Sequence, residues 1–269
     1  DDKAGVATIM TMIDVLAENP HVPHGPIAVA FTSDEEIGIG IDNFEIERFG
    51  AKFAYTVDGD ALGVINHETW NALGASLTFR GVSTHPGTAK GMMVNSAYAL
   101  ADFLLHLPAD MRPETTEERQ GFIHPVSGLV DTEQSILKLI LRDFESEDLA
   151  AKERLVRALA DECAARFSGV TIDVEIKEQY RNMNEVLKDE PCLVAHALEA
   201  TRRAGLVPAT RPIRGGTDGA KLTFRGLPCP NIFTGGHNFH SKLEFNSRRG
   251  LEKTAETLVH LVQIVAEEH

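Results

Sequence analysis

The chain has 269 residues, 43% of them hydrophobic and 25% charged, with a formal net charge of −14. That composition is ordinary for a soluble globular protein with room for a sizeable core. The acidic balance argues against nucleic acid and anionic membrane surfaces as partners, because both select basic patches, and no apolar run approaches the roughly 18 residues needed to span a bilayer. The three cysteines, Cys163, Cys192 and Cys229, are scattered and odd in number. They make neither a disulfide framework nor a zinc-finger spacing, so a reducing cytoplasm is the expected location.

The chain opens on two acids, Asp1 and Asp2, and runs straight into a helical pattern. Val6, Ile9, Met10, Ile13 and Leu16 recur at helical spacing, and Asn19-Pro20 ends the run. Such a beginning is expected of a piece of a longer protein. "PIAVAFTS" then reads as a buried strand, "IDNFEIERFG" as a short helix ended by Gly50, and "AKFAYTVDGD" as a second strand ending in acids. This alternation is that of an α/β sheet covered by helices.

From about Leu73 the texture changes. "LGASLTFRG", "SILKLILRDF" and "VTIDVEIKEQY" read as strands, with a weaker one around "GFIHPVSGLVD"; "NSAYALADFLLHLP" and "DLAAKERLVRALADECAARF" read as helices. The order is β-α-β-β-α-β, a small α+β sandwich with helices on one face. From about Asn184 the α/β texture returns, with helix "CLVAHALEATRRAG", strands "ATRPIRGG" and "PNIFTGG", and a last helix from Gly250 to about Glu267. The expected fold class is therefore α/β, a mixed sheet flanked by helices formed by residues 1–72 and 184–269, with residues 73–183 inserted as a second domain.

Acids gather at the strand ends, where open α/β sheets bind ligands. "TSDEEIG" sets Asp34, Glu35 and Glu36 in a row after an apolar run, and "YTVDGD" does the same with Asp58. Like charges so placed are costly unless something positive sits among them. Downstream, "TGGHNFHSKLEF" adds His237 and His240 after another strand. Taken singly, a Glu-Glu pair is usually a solvated loop, a lone His is surface or satisfied core, and "GGTDG" is a turn. Their combination on elements of one sheet weakens those readings and sets beside them, on equal terms, a site of carboxylate and imidazole ligands, a donor set suited to zinc, manganese or cobalt. One acid of a neighbouring pair would then hold metal while the other takes a proton from water.

The stretches "DDKAG", "TSDEEIG", "YTVDGD", "THPGTAKGMMVN", "LRDFE", "PIRGGTDGAKLTFRGLPCPNIFTGG" and "HNFHSKLEF" are spread over nearly the whole chain. In this order they resemble the peptidase T family, tripeptide aminopeptidases within the co-catalytic di-zinc exopeptidases. The resemblance implies a zinc-exopeptidase-like sheet with a ferredoxin-like lid, and two zinc ions per intact subunit, replaceable by cobalt or manganese in vitro. It implies that Asp1 bridges the metals, that Glu36 and His240 complete one site and Asp58 the other, and that Asp2 follows in a turn with a cis peptide bond. Glu35 would be the general base for water held between the metals. His85, otherwise a turn residue before Pro86, would help stabilise the oxyanion. Arg142, otherwise an exposed strand charge, would join Arg214 in holding the peptide's C-terminal carboxylate, and Asn182 and Asn238 would bind its backbone. "RGGTDGA" would present backbone NH groups to an anion.

The resemblance departs at "GGHNFHS", where His237 stands in place of a Tyr; position within the motif favours His240 as the ligand. In this family the site of Asp58 also takes a His from a His-x-Asp motif upstream of the bridging Asp, and no such motif occurs among the eleven histidines. That metal is expected to bind weakly to this chain, and loss of upstream strands would expose a sheet edge. The expected partner is a short peptide, and relatives allow a homodimer through the lid. The alternatives are an inactive fragment or binding module lacking one zinc ligand, and a related dipeptidase or amidohydrolase.

Overall fold

The computed structural model describes residues 1–268. The first elements are α1 (Lys3–Glu18), α2 (Ile46–Phe49), β1 (Thr56–Gly59) and β2 (Val64–Asn66). The middle of the chain forms β3 (Asn71–Arg80), α3 (Ser96–His106), β4 (Phe122–Leu129), β5 (Gln134–Asp143), α4 (Ser146–Arg166) and β6 (Thr171–Tyr180). There follow α5 (Asn184–Leu187), α6 (Pro191–Arg203), β7 (Ala209–Thr210), α7 (Asp218–Phe224), β8 (Asn231–Phe233), β9 (Gly236–His237), β10 (Phe245–Asn246) and α8 (Arg248–Glu268). No helix among the described residues is long and apolar enough to cross a membrane.

The chain divides into two units, Asp1–Thr69 with the segment from Asn182 onward, and Trp70–Arg181. The boundaries thus fall at 69/70 and 181/182 rather than at the 72/73 and 183/184 read from texture. The reason lies where the chain leaves and re-enters the first unit. There the Thr69 amide donates to Asn182 Oδ1 (3.1 Å), and the Met183 amide donates to Thr69 Oγ1 (3.0 Å).

In the first unit the sheet order is β1-β8-β2-β7. β1 runs parallel to β8, β8 antiparallel to β2, and β2 parallel to β7. β2 and β8 are buried, β1 is half-buried and β7 is exposed, and α1, α6 and α8 supply Met12, Leu16, Ala197, Ala200, Leu258, Leu261 and Ile264 to the same core as Val57, Ile65, Ile232 and Phe233. Each large side chain so buried contributes roughly 1.5–3 kcal/mol. Helix α1 matches its expected span and ends at Asn19, but its buried stripe is Gly5, Thr8, Met12 and Leu16, while Val6 and Met10 face solvent.

The apolar run before Glu35 does not form the expected buried strand. Residues 26–31 carry no strand, and Ile27, Val29 and Phe31 are 40%, 37% and 51% exposed. β propensity makes a strand only where a neighbour accepts its backbone groups, and among the described residues none lies beside this run.

The second unit has the expected order β3-α3-β4-β5-α4-β6. Its antiparallel sheet, β4-β5-β3-β6, packs Leu77, Phe79, Leu137, Leu139 and Leu141 with Phe103 of α3 and Val156 and Leu159 of α4. The weakest predicted strand, β4, lies at the edge, where its register shifts between Pro125 and Ser127. A proline lacks the N–H that a central ladder needs, so an edge tolerates it.

Candidate metal centre

Because β1 and β8 are parallel, their C-terminal ends open on the same side of the sheet. β1 brings Asp58 there, and buried Asn231 at the start of β8 holds it by accepting from Thr56 Oγ1 (2.8 Å) and the Asp58 amide (3.3 Å). Beyond β8 the antiparallel pair β9–β10 carries His240 in its connecting loop. Helix α1 begins at the same place. Asp2 caps it, accepting the Gly5 amide at Oδ1 (2.9 Å), and the Asp1–Asp2 peptide is cis. A Cβ on Gly5 would lie 2.1 Å from Asp2 Oδ2 and 2.1 Å from the Val57 carbonyl oxygen, so only glycine lets α1 start against β1.

His240 Nε2 lies 3.2 Å from Asp1 Oδ2 and 3.1 Å from Glu36 Oε2. One ligand atom each of Asp1, Glu36 and His240 lie within 4.8 Å of one another, and the same holds for Asp1, Asp2 and Asp58. Asp1 belongs to both groups. His237 does not join them: its ring stacks on Phe245 with centroids 4.9 Å apart. Among the described residues, four non-glycine residues have positive φ, and Asp34 (63°), Asn238 (57°) and His240 (60°) are three of them. Backbone strain of this kind gathers where side chains must be aimed.

The acids raise one another's affinity for protons. Asp58 is pushed up to about 7, first by burial and then by Asp2, Glu35, Glu36 and Asp218. Burial also raises Glu35, helped by Asp218 and Glu36, and raises Asp2 against the pull of the Gly5 amide. His240 is the only basic side chain within the two clusters. Crowded carboxylates with one imidazole are what hard or borderline divalent ions require, and such an ion would relieve the repulsion that raises Asp58. The residues present therefore fit a site for divalent ions, with Asp1 common to both clusters.

The remaining predicted residues are more dispersed. Arg214 and Asn238 are exposed in the first unit, and Asn238 Nδ2 donates to the Leu243 carbonyl (3.3 Å). Asn182 is buried at the chain crossing, accepting from the Thr69 and Asn184 amides. His85 and Arg142 lie in the second unit. His85 is exposed, and its Nδ1 accepts the Gly87 amide (3.1 Å). Arg142 is 9% exposed, not a surface charge; it donates to the Leu73 and Leu141 carbonyls and to Gln179, and its guanidinium lies over Tyr180. Sequence reasoning passed over Asp2 as a possible ligand and read "GGTDG" as a turn. The motif instead starts α7, with Thr217 as its cap and Asp218 buried. An N-capping Thr before an acid was the available signal.

The chain is also similar to known proteins. The profile described as Peptidase family M20/M25/M40 matches residues 1–264. The chain is 46% identical over 269 residues to a peptidase T of Vibrio parahaemolyticus, covering 100% of this chain and 66% of that protein. It thus spans slightly less than two thirds of that relative's length. Among solved structures, the aminopeptidase PepT of Bacillus cereus superposes with a TM-score of 0.83 at 26% identity, over 99% of this chain and 71% of that one. A tripeptidase of Staphylococcus aureus gives a TM-score of 0.87 at 23% identity, over 99% and 71%, a likeness of fold.

Proposed function

The chain belongs to peptidase family M20/M25/M40, and from that premise we propose that it carries the two-metal centre of an aminopeptidase that releases the N-terminal residue of tripeptides. The observation that carries this reading is the sharing of Asp1 between two ligand clusters, Asp1–Glu36–His240 and Asp1–Asp2–Asp58. Peptidase T and tripeptidase among the similar proteins support the substrate class.

Zinc suits the cluster that includes the imidazole, and the all-carboxylate cluster would hold its ion more weakly. Two divalent ions bound there would lower the pKa of water and offset the charge that develops on the scissile carbonyl. Glu35 stands beside the ligand Glu36 without being a member of either cluster. Its carboxylate, raised by burial and by the acids around it, is suited to taking a proton from the attacking water and delivering it to the leaving amine. Arg214 and Asn238 are exposed on loops of the same unit and would hold the peptide's carboxylate and backbone.

The test is metal content followed by turnover. After equilibration with zinc and removal of loose ions, the chain should retain one tightly held ion and a second, weaker one; a chain that retains none refutes the reading. Glu35→Gln should keep the metal and lose hydrolysis of an unblocked tripeptide. Hydrolysis that tolerates a blocked amino terminus would instead assign the site to an amidohydrolase.

A further inference from the structure

We infer that α7 and its C-terminal cap, through Asp218, Lys221 and Arg225, form a positioning device that holds the loop bearing Glu35 and Glu36 in register with Asp1 and His240. The inference rests on the two-metal reading above and adds to it residues that touch neither metal nor substrate.

The loop from Thr32 to Glu45 has little to hold it in place. Its only regular structure is the single 3₁₀ turn Glu35–Ile37, and the extended run before it has no strand partner among the described residues. Its internal hydrogen bonds are local, joining Gly38 to Glu35, Ile39 to Asp34, Asp42 to Ile39 and Phe44 to Ile41. Left to these, the loop would move as a unit and carry Glu35 and Glu36 with it.

Helix α7 and its C-terminal cap supply the missing attachments. Positions 218, 221 and 225 are spaced three and four apart, so they fall on one helical face. Asp218 Oδ2 accepts from Thr32 Oγ1 at 2.8 Å, at the start of the loop. Lys221 Nζ donates to the Gly38 carbonyl just after the turn. Arg225 donates from its two terminal nitrogens to the Ile41 and Phe44 carbonyls, at the far end. The three side chains thus grip the loop on both sides of Glu35 and Glu36. Under them Ile41, 1% exposed, packs with Leu222, Leu227 and Cys229.

The fit is close enough to exclude a side chain. A Cβ on Gly40 would lie 2.7 Å from Asp218 Oδ2 and 3.1 Å from the Ser33 carbonyl oxygen. The loop therefore lies directly against the Asp218 carboxylate. Asp218 is itself buried, a costly place for a charge that serves only solubility. Lys and Arg carry long stems that place their charged ends on carbonyls without entering the ligand clusters.

The test compares Lys221→Met with Arg225→Met, singly and together, in the same chain that binds the metal. The stems are kept and the donors removed. The expected result for the double variant is that zinc affinity at the tighter site falls by about tenfold or more, a loss of about 1.4 kcal/mol. Amide exchange should quicken in residues 33–44 and stay unchanged in β1 and β8, with the global unfolding midpoint held. Lys221→Arg, which keeps a donor, should retain most of the affinity that Lys221→Met loses. Unchanged exchange in residues 33–44 overturns the inference, as does a loss of affinity that only tracks global unfolding. If the unsubstituted chain binds no zinc, the two-metal reading fails, and the exchange comparison still decides whether α7 holds the loop.

Discussion

Replacing Asp58 with Asn removes an ionisable group whose affinity for a proton the fold raises. The group moves from an ordinary value of 3.8 to about 7, chiefly through burial. A shift of about 3 units corresponds to at most about 4 kcal/mol between the two protonation states, and neighbouring acids that titrate with it share that energy. The sign follows from the direction. A pKa raised on folding contributes stability that is complete below the unfolded value and is lost as pH rises through the folded one. In the presence of chelator, the unsubstituted chain should therefore lose stability between about pH 4 and pH 7. Asp58→Asn cannot ionise and should nearly match the unsubstituted chain at about pH 4, then exceed it by up to about 4 kcal/mol at pH 8. Urea unfolding followed by far-ultraviolet circular dichroism, run on both proteins at the two pH values, measures the difference. Adding zinc at pH 8 should reverse the order, because only the carboxylate is a ligand. A stability gap that stays the same at about pH 4 and pH 8 without metal would refute the reasoning, since folding would then not raise the proton affinity of Asp58.

Four further outcomes are expected. His240→Ala should lose the tighter zinc ion while His237→Ala keeps it, read as metal retained per chain, because only the His240 ring lies beside Asp1 and Glu36. Gly5→Ala should prevent α1 from seating, since its Cβ would meet the Val57 carbonyl oxygen at 2.1 Å; a melting curve like that of the parent would contradict this. Leu139→Ala, at a position 1% exposed in the second unit, should cost about 2–5 kcal/mol in urea unfolding. Arg142→Met should destabilise the second unit by about 1–3 kcal/mol, because it strands the carbonyls and Gln179 that Arg142 serves; an unchanged midpoint with a raised KM would assign it to substrate instead.

Much of the fold was legible because its signals are local. The span of α1, its end at Asn19, the stop of α2 at Gly50 (φ 72°) and the strand–helix order of the second unit follow from spacing, caps and turn residues. The resemblance to peptidase T that the motifs carry implied Asp1, Glu36, Asp58 and His240 as candidate ligands. What the sequence could not decide is long-range. β7, β9 and β10 are two residues each and exist only through their partners. "PIAVAF" has strand composition and no strand, because a ladder needs a neighbour that residue type does not supply. The meeting of Asp1 with both Glu36–His240 and Asp2–Asp58 joins residues up to 239 positions apart in sequence (240 − 1), and it arises from the parallel pairing of β1 with β8. Local chemistry chose which residues could bind metal. Strand pairing and the close approach at Gly5 decided that they gather around one shared carboxylate.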